Sequence, residues 1–218
     1  MSGTIILAIV LAVIVVLGAA ALIRRTGTHD KGRDLRRRFG PEYDRVAARH
    51  GDQESAEQEL AARVREHDAL QLRPLAQDER ERYERTWNSV QERFIDDPRG
   101  ATQQADQVIS GLLTAIGYPS EDRERQLELA SVDHAYALGD YRQARELAQR
   151  GLDGGAAVET ARTDGVSGTN GSNGTNGTRD GAAASSTETL RQALLHYRVM
   201  FNDLLGHAGA ERAHAGQR

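Results

Sequence analysis

Residues 4–23, TIILAIVLAVIVVLGAAALI, form a run of twenty residues without a single charge. With a rise of about 1.5 Å per residue, a helix of this length spans about 30 Å, the hydrocarbon thickness of a bilayer. A soluble fold covers such a run at great cost, because a core helix normally keeps a polar stripe and this one has none. A secretory signal wants a basic start and an apolar stretch of about 7 to 15 residues. Here Met1-Ser2-Gly3 carries no basic side chain, although Ala19-Ala20-Ala21 offers a small-residue cleavage pattern. The sequence therefore predicts an uncleaved transmembrane anchor over residues 1–23, with cleavage after Ala21 as the alternative.

The flanks of this run set a direction. Arg24, Arg25, Lys31, Arg33, Arg36, Arg37 and Arg38 all follow it closely, and basic residues are retained on the cytoplasmic side. A soluble part on the cytoplasmic face is the expectation, with a secreted or extracytoplasmic location as the alternative. The same seven side chains, in a basic juxtamembrane segment over residues 24–50, suit anionic headgroups as well as topology.

Residues 24–50 hold nine basic and four acidic side chains, so residues 51–218 carry −9 of the chain's net charge of −4. An acidic bulk argues against a nucleic-acid partner, which needs a basic face to neutralise phosphates. The partners expected are the bilayer and an unidentified protein. No cysteine is present, which removes disulfide scaffolds, thiol nucleophiles and thiolate metal sites. Only Lys31 among 28 basic residues is a lysine, a composition that suits a GC-rich bacterial genome.

Beyond the anchor the pattern is helical throughout, and the predicted fold class is all-α: one membrane helix followed by a small bundle. Pro41 opens a helix that Gly51 closes. Residues 51–75 read as an exposed stalk, rich in Ala, Glu, Gln and Arg with few bulky side chains. Residues 76–152 carry the bundle. Tyr83, Trp87, Val90 and Phe94 share one helical face, Asp97-Pro98 caps the next helix, and Ala101, Ala105, Val108, Leu112 and Ile116 repeat the period until Gly117. A third helical region runs from about Asp122 to Leu152, with a break expected at Gly139-Asp140.

Residues 153–186 read as a disordered linker rich in Gly, Asn, Thr and Ser, with three Asn-Gly-Ser/Thr triplets at Asn170, Asn173 and Asn176. Ser185 to Glu188 resembles a capping box before a final helix over residues 187–206. Its stripe of Leu190, Leu194, Tyr197, Phe201 and Leu204 asks for a partner, the Trp87 face being the obvious one. Residues 207–218 are expected to be a disordered tail.

Catalytic signatures are absent from the sequence: no phosphate loop, no dinucleotide-binding glycine pattern, no nucleophile elbow and no His-Glu-x-x-His. No cofactor, metal or enzymatic activity is therefore expected. Trp87, Tyr118 and His134 are the candidates for a partner surface, Trp87 fitting a core position as well. An unfamiliar reactive site around Asp133, His134 and Tyr118 is the enzymatic alternative.

Several segments together resemble a family: Leu35-Arg36-Arg37-Arg38-Phe39-Gly40-Pro41-Glu42-Tyr43-Asp44, Leu72-Arg73-Pro74-Leu75 with Arg82-Tyr83 and Trp87, Val90-Gln91 with Phe94 and Asp96-Asp97-Pro98, Gly117-Tyr118-Pro119, and Ser131-Val132-Asp133-His134. They are similar to an uncharacterised actinobacterial family of small membrane or secreted proteins. The resemblance covers residues 35–150 and the final helix. It implies a bacterial origin and an anchored layout, and it transfers no catalytic residue or ligand.

Overall fold

Glycine and proline punctuate this chain into helices. The computed structural model describes residues 32–163 and 175–215. The helices are α1 (32–39), α2 (Pro41–His50), α3 (Gln53–His67), α4 (Gln77–Arg93), α5 (Pro98–Ile116), α6 (Arg123–Ala130), α7 (Ala135–Thr163) and α8 (Thr175–Ala215). No strand occurs among the described residues, so the all-α class holds. The anchor over residues 4–23 lies outside the described residues. Among those described, no helix is long and apolar enough to cross a membrane.

The chain divides into two units, Met1–Ala62 and Arg63–Arg218. In the first, Gly40 at φ 48° turns α1 into α2, and Gly51 at φ 76° ends α2 with its N–H on the Ala47 carbonyl. Phe39, Tyr43, Val46, Ala56 and Leu60 form its buried apolar set. The Tyr43 hydroxyl donates to Glu57 at 2.9 Å, which ties α2 to α3.

In the second unit α5 is the central helix and packs on α4, α7 and α8. Its Ala101, Ala105, Val108, Ile109, Leu112, Leu113 and Ile116 are all buried, a stripe too wide for one neighbour to cover. Asp97 caps α5 by accepting from the Gly100 N–H at 2.8 Å, as the Asp97-Pro98 pair predicts. Gly117 then turns at φ 121°, and a Cβ there would sit 2.8 Å from the Gln71 carbonyl oxygen. Only glycine permits both the backbone angle and this close approach. The predicted return of the last helix is also present: Phe201 stacks on Trp87 at 4.5 Å with 14° between the rings. The Arg80 guanidinium donates to the Leu205 carbonyl at 3.0 Å, which ties α4 to α8 just after the stripe.

Five expectations need correction. The stalk is not exposed: Ala56, Leu60, Arg63 and His67, spaced four, three and four on α3, are buried. Two of those positions are polar, so apolar periodicity passes over them. The break in the third helical region falls at Ser131–His134, and Gly139 and Asp140 lie inside α7. Packing of the turn's Ser131, Val132 and His134 in the interior outweighs the roughly 1 kcal/mol that an internal glycine costs a helix.

Helix also occupies 153–163 and 175–186, where a linker was expected. A helix already nucleated by packing extends at little cost through alanine-rich sequence; only 164–174 of the linker lies outside the described residues. For the same reason Ser185 sits within α8 rather than capping it, and its carbonyl accepts from the Thr189 hydroxyl at 2.9 Å. The backbone of the expected tail is helical to Ala215.

Candidate functional site

A buried polar row in the second unit is built by three short structural events. α3 ends at His67, Gly117 turns the chain into Tyr118, and the α6–α7 break delivers Asp133 and His134. That break is closed locally: the Ser131 N–H donates to the Leu127 carbonyl at 3.0 Å and the His134 N–H to the Ala130 carbonyl at 2.9 Å. The His134 carbonyl in turn accepts from the Leu138 N–H at 2.8 Å, so this residue starts α7.

His67, Tyr118 and His134 lie in a row, with ring centroids 6.1 Å apart for the first pair and 6.2 Å for the second. A carboxylate stands at each end. His67 Nε2 is 3.0 Å from Asp133 Oδ2, and His134 Nδ1 is 2.6 Å from Asp203 Oδ2 on α8. The three rings are buried, while Asp133 and Asp203 are partly exposed. The His134–Asp203 contact is a hydrogen bond, and a carboxylate on one ring nitrogen fixes the tautomer and orientation of an imidazole; the His67–Asp133 approach is close in distance alone. This geometry serves equally for a positioned base and for a latch between elements. Because both imidazoles are buried, a substrate reaches them only if α8 or the turn moves.

Beside the row, Arg63 donates to Glu128 at 3.0 Å, and Glu128 also accepts from Arg125 at 2.8 Å. Arg125 additionally bonds Glu66. Two charges taken from water are tolerated when each finds an opposite partner with good geometry. A second reciprocal contact joins α7 and α8: His196 Nδ1 lies 2.7 Å from Asp140 Oδ1. Further along the core, the Tyr141 hydroxyl donates to Asp106 at 2.5 Å and accepts from Arg123. Burial, and then the negative charge of Asp106, push both the Tyr141 and Tyr197 phenols well above the ordinary tyrosine range.

The structure brings together Tyr118, Asp133 and His134, which the sequence put forward as a group. It adds His67, Asp203 and Arg63, which sequence reasoning missed. Their signal was the helical phase of Arg63 and His67 with Ala56 and Leu60; nothing local marks Asp203, 69 positions from His134. Trp87, Tyr118 and His134 are buried, so none of them is presented to a partner as a surface. Trp87 is a core residue against Phe201.

Arg24, Arg25 and Lys31 lie outside the described residues. Arg33, Arg36, Arg37 and Arg38 are exposed on α1 in the first unit. Among the described residues no three His, Asp or Glu side chains converge as metal ligands. No protein-family model, curated protein or solved structure matches this chain.

Proposed function

We propose that this chain is a membrane-tethered helical interaction module that acts by presenting one edge of its α7–α8 pair to a protein partner. The observation that carries the reading is the position of three exposed large apolar side chains on α7 and α8, a fourth, Ile95, standing alone in the α4–α5 turn at 82% exposure. Tyr136, Val199 and Leu195 are 67%, 44% and 41% exposed. Tyr136 falls between His134 and Asp140, and Val199 falls between His196 and Asp203. The two cross-helix contacts, His134 to Asp203 and His196 to Asp140, therefore put Tyr136 and Val199 at one level of the pair. Leu195 is one turn from Val199. Single exposed apolar residues are ordinary, whereas three within about a turn of one another along a helix pair suit a partner.

The buried His–carboxylate contacts support the same reading from the other side. They join α7, α8 and the α6–α7 turn to each other and so serve to hold the edge in shape. The tether rests on the uncharged run of residues 4–23, and the basic residues after it favour a cytoplasmic bundle.

A photo-crosslinking residue placed at Tyr136 or Val199 of the full chain in native membranes should give one protein adduct of the same mass. The same residue at Arg85, exposed on α4, should not give it, and Tyr136→Asp should abolish the adduct at Val199. Failure to form any adduct at either position overturns the reading. A reporter fused after Arg218 decides the side of the membrane. If His134→Ala stayed folded yet failed to complement a deletion phenotype while crosslinking normally, a reaction at the buried row would replace this reading.

A further inference from the structure

Helix α1 turns its cations away from the core of the first unit. Gly32 and Phe39 are buried and Leu35 is half-buried, the spacing of one inward face, whereas Arg33, Asp34, Arg36, Arg37 and Arg38 are exposed. Residues 32–39 thus offer solvent a net charge of +3 on two turns of helix. The ion pairs of Arg36 and Arg37 leave both guanidinium groups largely in water. Arg37 lies 2.8 Å from Asp34 and is 79% exposed, and Arg36 lies 3.2 Å from Asp44 and is 63% exposed.

Ion pairs this exposed are weak and exchange readily for another anion. The Arg36 guanidinium also stacks on the Tyr43 ring, 4.8 Å from its centre, while the side chain as a whole stays 63% exposed. Arg33 follows the uncharged run by only ten residues, a distance of at most about 36 Å even for an extended chain.

We infer that the outward face of α1 is a docking surface for an anionic bilayer, with Arg33, Arg36, Arg37 and Arg38 binding the phosphate and carboxylate groups of its lipids. Charge complementarity selects this occupant, since guanidinium forks match phosphate and carboxylate oxygens. Nearness to the apolar run keeps such a surface within reach. The inference rests on the tether reading for that nearness alone. Docking would fix the first unit against the headgroups instead of leaving it on a free leash.

The chain contains no cysteine, so Asp34→Cys gives a unique site for an environment-sensitive fluorophore on this face. The labelled full chain is reconstituted into vesicles of phosphatidylcholine alone or with one third phosphatidylserine. Quenching by headgroup-labelled lipid should rise several-fold in the anionic vesicles. It should return to the neutral-vesicle level in molar salt, where screening is short-ranged.

The triple change Arg36→Gln, Arg37→Gln and Arg38→Gln should abolish the rise while helicity by circular dichroism is unchanged. Equal quenching in the two vesicles overturns the inference, and so does a serine-lipid effect that survives the triple change. Flotation with neutral vesicles reports the tether separately. A chain that floats only with anionic vesicles, and only with its arginines, removes the tether reading and leaves the docking surface standing.

Discussion

Replacing Phe201 by alanine tests whether α8 is a docked part of the bundle. Phe201 is 3% exposed and lies 4.5 Å from the Trp87 ring, itself 4% exposed. A buried phenylalanine removes about 200 Å² from water, worth about 5 kcal/mol at about 25 cal/mol per Å². Measured Phe to Ala changes in cores run about 3 to 5 kcal/mol, so about 4 kcal/mol is expected. At about 2 to 4 °C per kcal/mol for a domain of this size, the thermal midpoint should fall by about 8 to 16 °C.

Trp87 is the only tryptophan, so its emission reads this contact directly and should shift to the red under native conditions. Urea unfolding of the full chain in mild detergent gives the free energy. A double-mutant cycle with Trp87→Leu and Phe201→Leu should leave a coupling of about 0.5 to 1.5 kcal/mol for the ring pair. A cost below about 1 kcal/mol with unchanged emission would mean that α8 does not pack on α4, and the argument for the bundle's closure would fail.

Gly117→Ala should cost well over 1 kcal/mol by urea unfolding, because its φ of 121° and the Gln71 oxygen 2.8 Å from a new Cβ leave alanine no place; a neutral result would refute this account of the turn. The Glu79 carboxyl is held down to about 2 by the Arg73 guanidinium and then by the Ala76 N–H. A depressed folded value means stability that is present above the unfolded value of 4.5 and lost as pH falls towards about 2. Glu79→Gln should flatten that part of the acid limb, and identical acid profiles for the two proteins would remove the assignment. At the alkaline end the raised Tyr141 and Tyr197 phenols work in the opposite sense. Above the ordinary tyrosine value of 10.0 the unfolded chain ionises while the folded one keeps these protons, so stability falls with rising pH. Tyrosinate absorbance should show these two phenols appearing together with loss of helicity, and appearance in the intact fold would contradict their burial.

Much of the architecture was legible because it rests on short-range rules. Proline and glycine at Pro41, Gly51, Pro98 and Gly117 act through their own backbone limits, and Asp97 reaches an N–H only three residues on. The apolar stripes of α4, α5 and α8 need only the helical period, which is why the meeting of Trp87 and Phe201 could be expected before it was seen. Local propensity failed where two segments support each other. The flanks of 164–174 carry several glycines and read locally as linker, yet helix occupies 153–163 and 175–186 as α7 and α8 continue into them. The turn at Ser131–His134 likewise won over Gly139-Asp140 because the interior takes its side chains, and no local signal reports that.

The candidate site divides the same way. Tyr118, Asp133 and His134 stood out as residues able to do chemistry, but neither their burial nor their companions were readable, since Asp203 meets His134 only when α8 returns. Arg63 and His67 were hidden because a polar residue in helical phase looks like a solvated face until a neighbour meets it, as Glu128 meets the Arg63 charge and Asp133 comes within 3.0 Å of His67 here. The sequence by itself determined the helical class, the uncharged run, the asymmetry of charge and most helix ends, all set by neighbours within a turn or two. Tertiary structure alone decided which polar groups are inside, because a buried charge is tolerable only beside a partner, and here that partner comes from another helix.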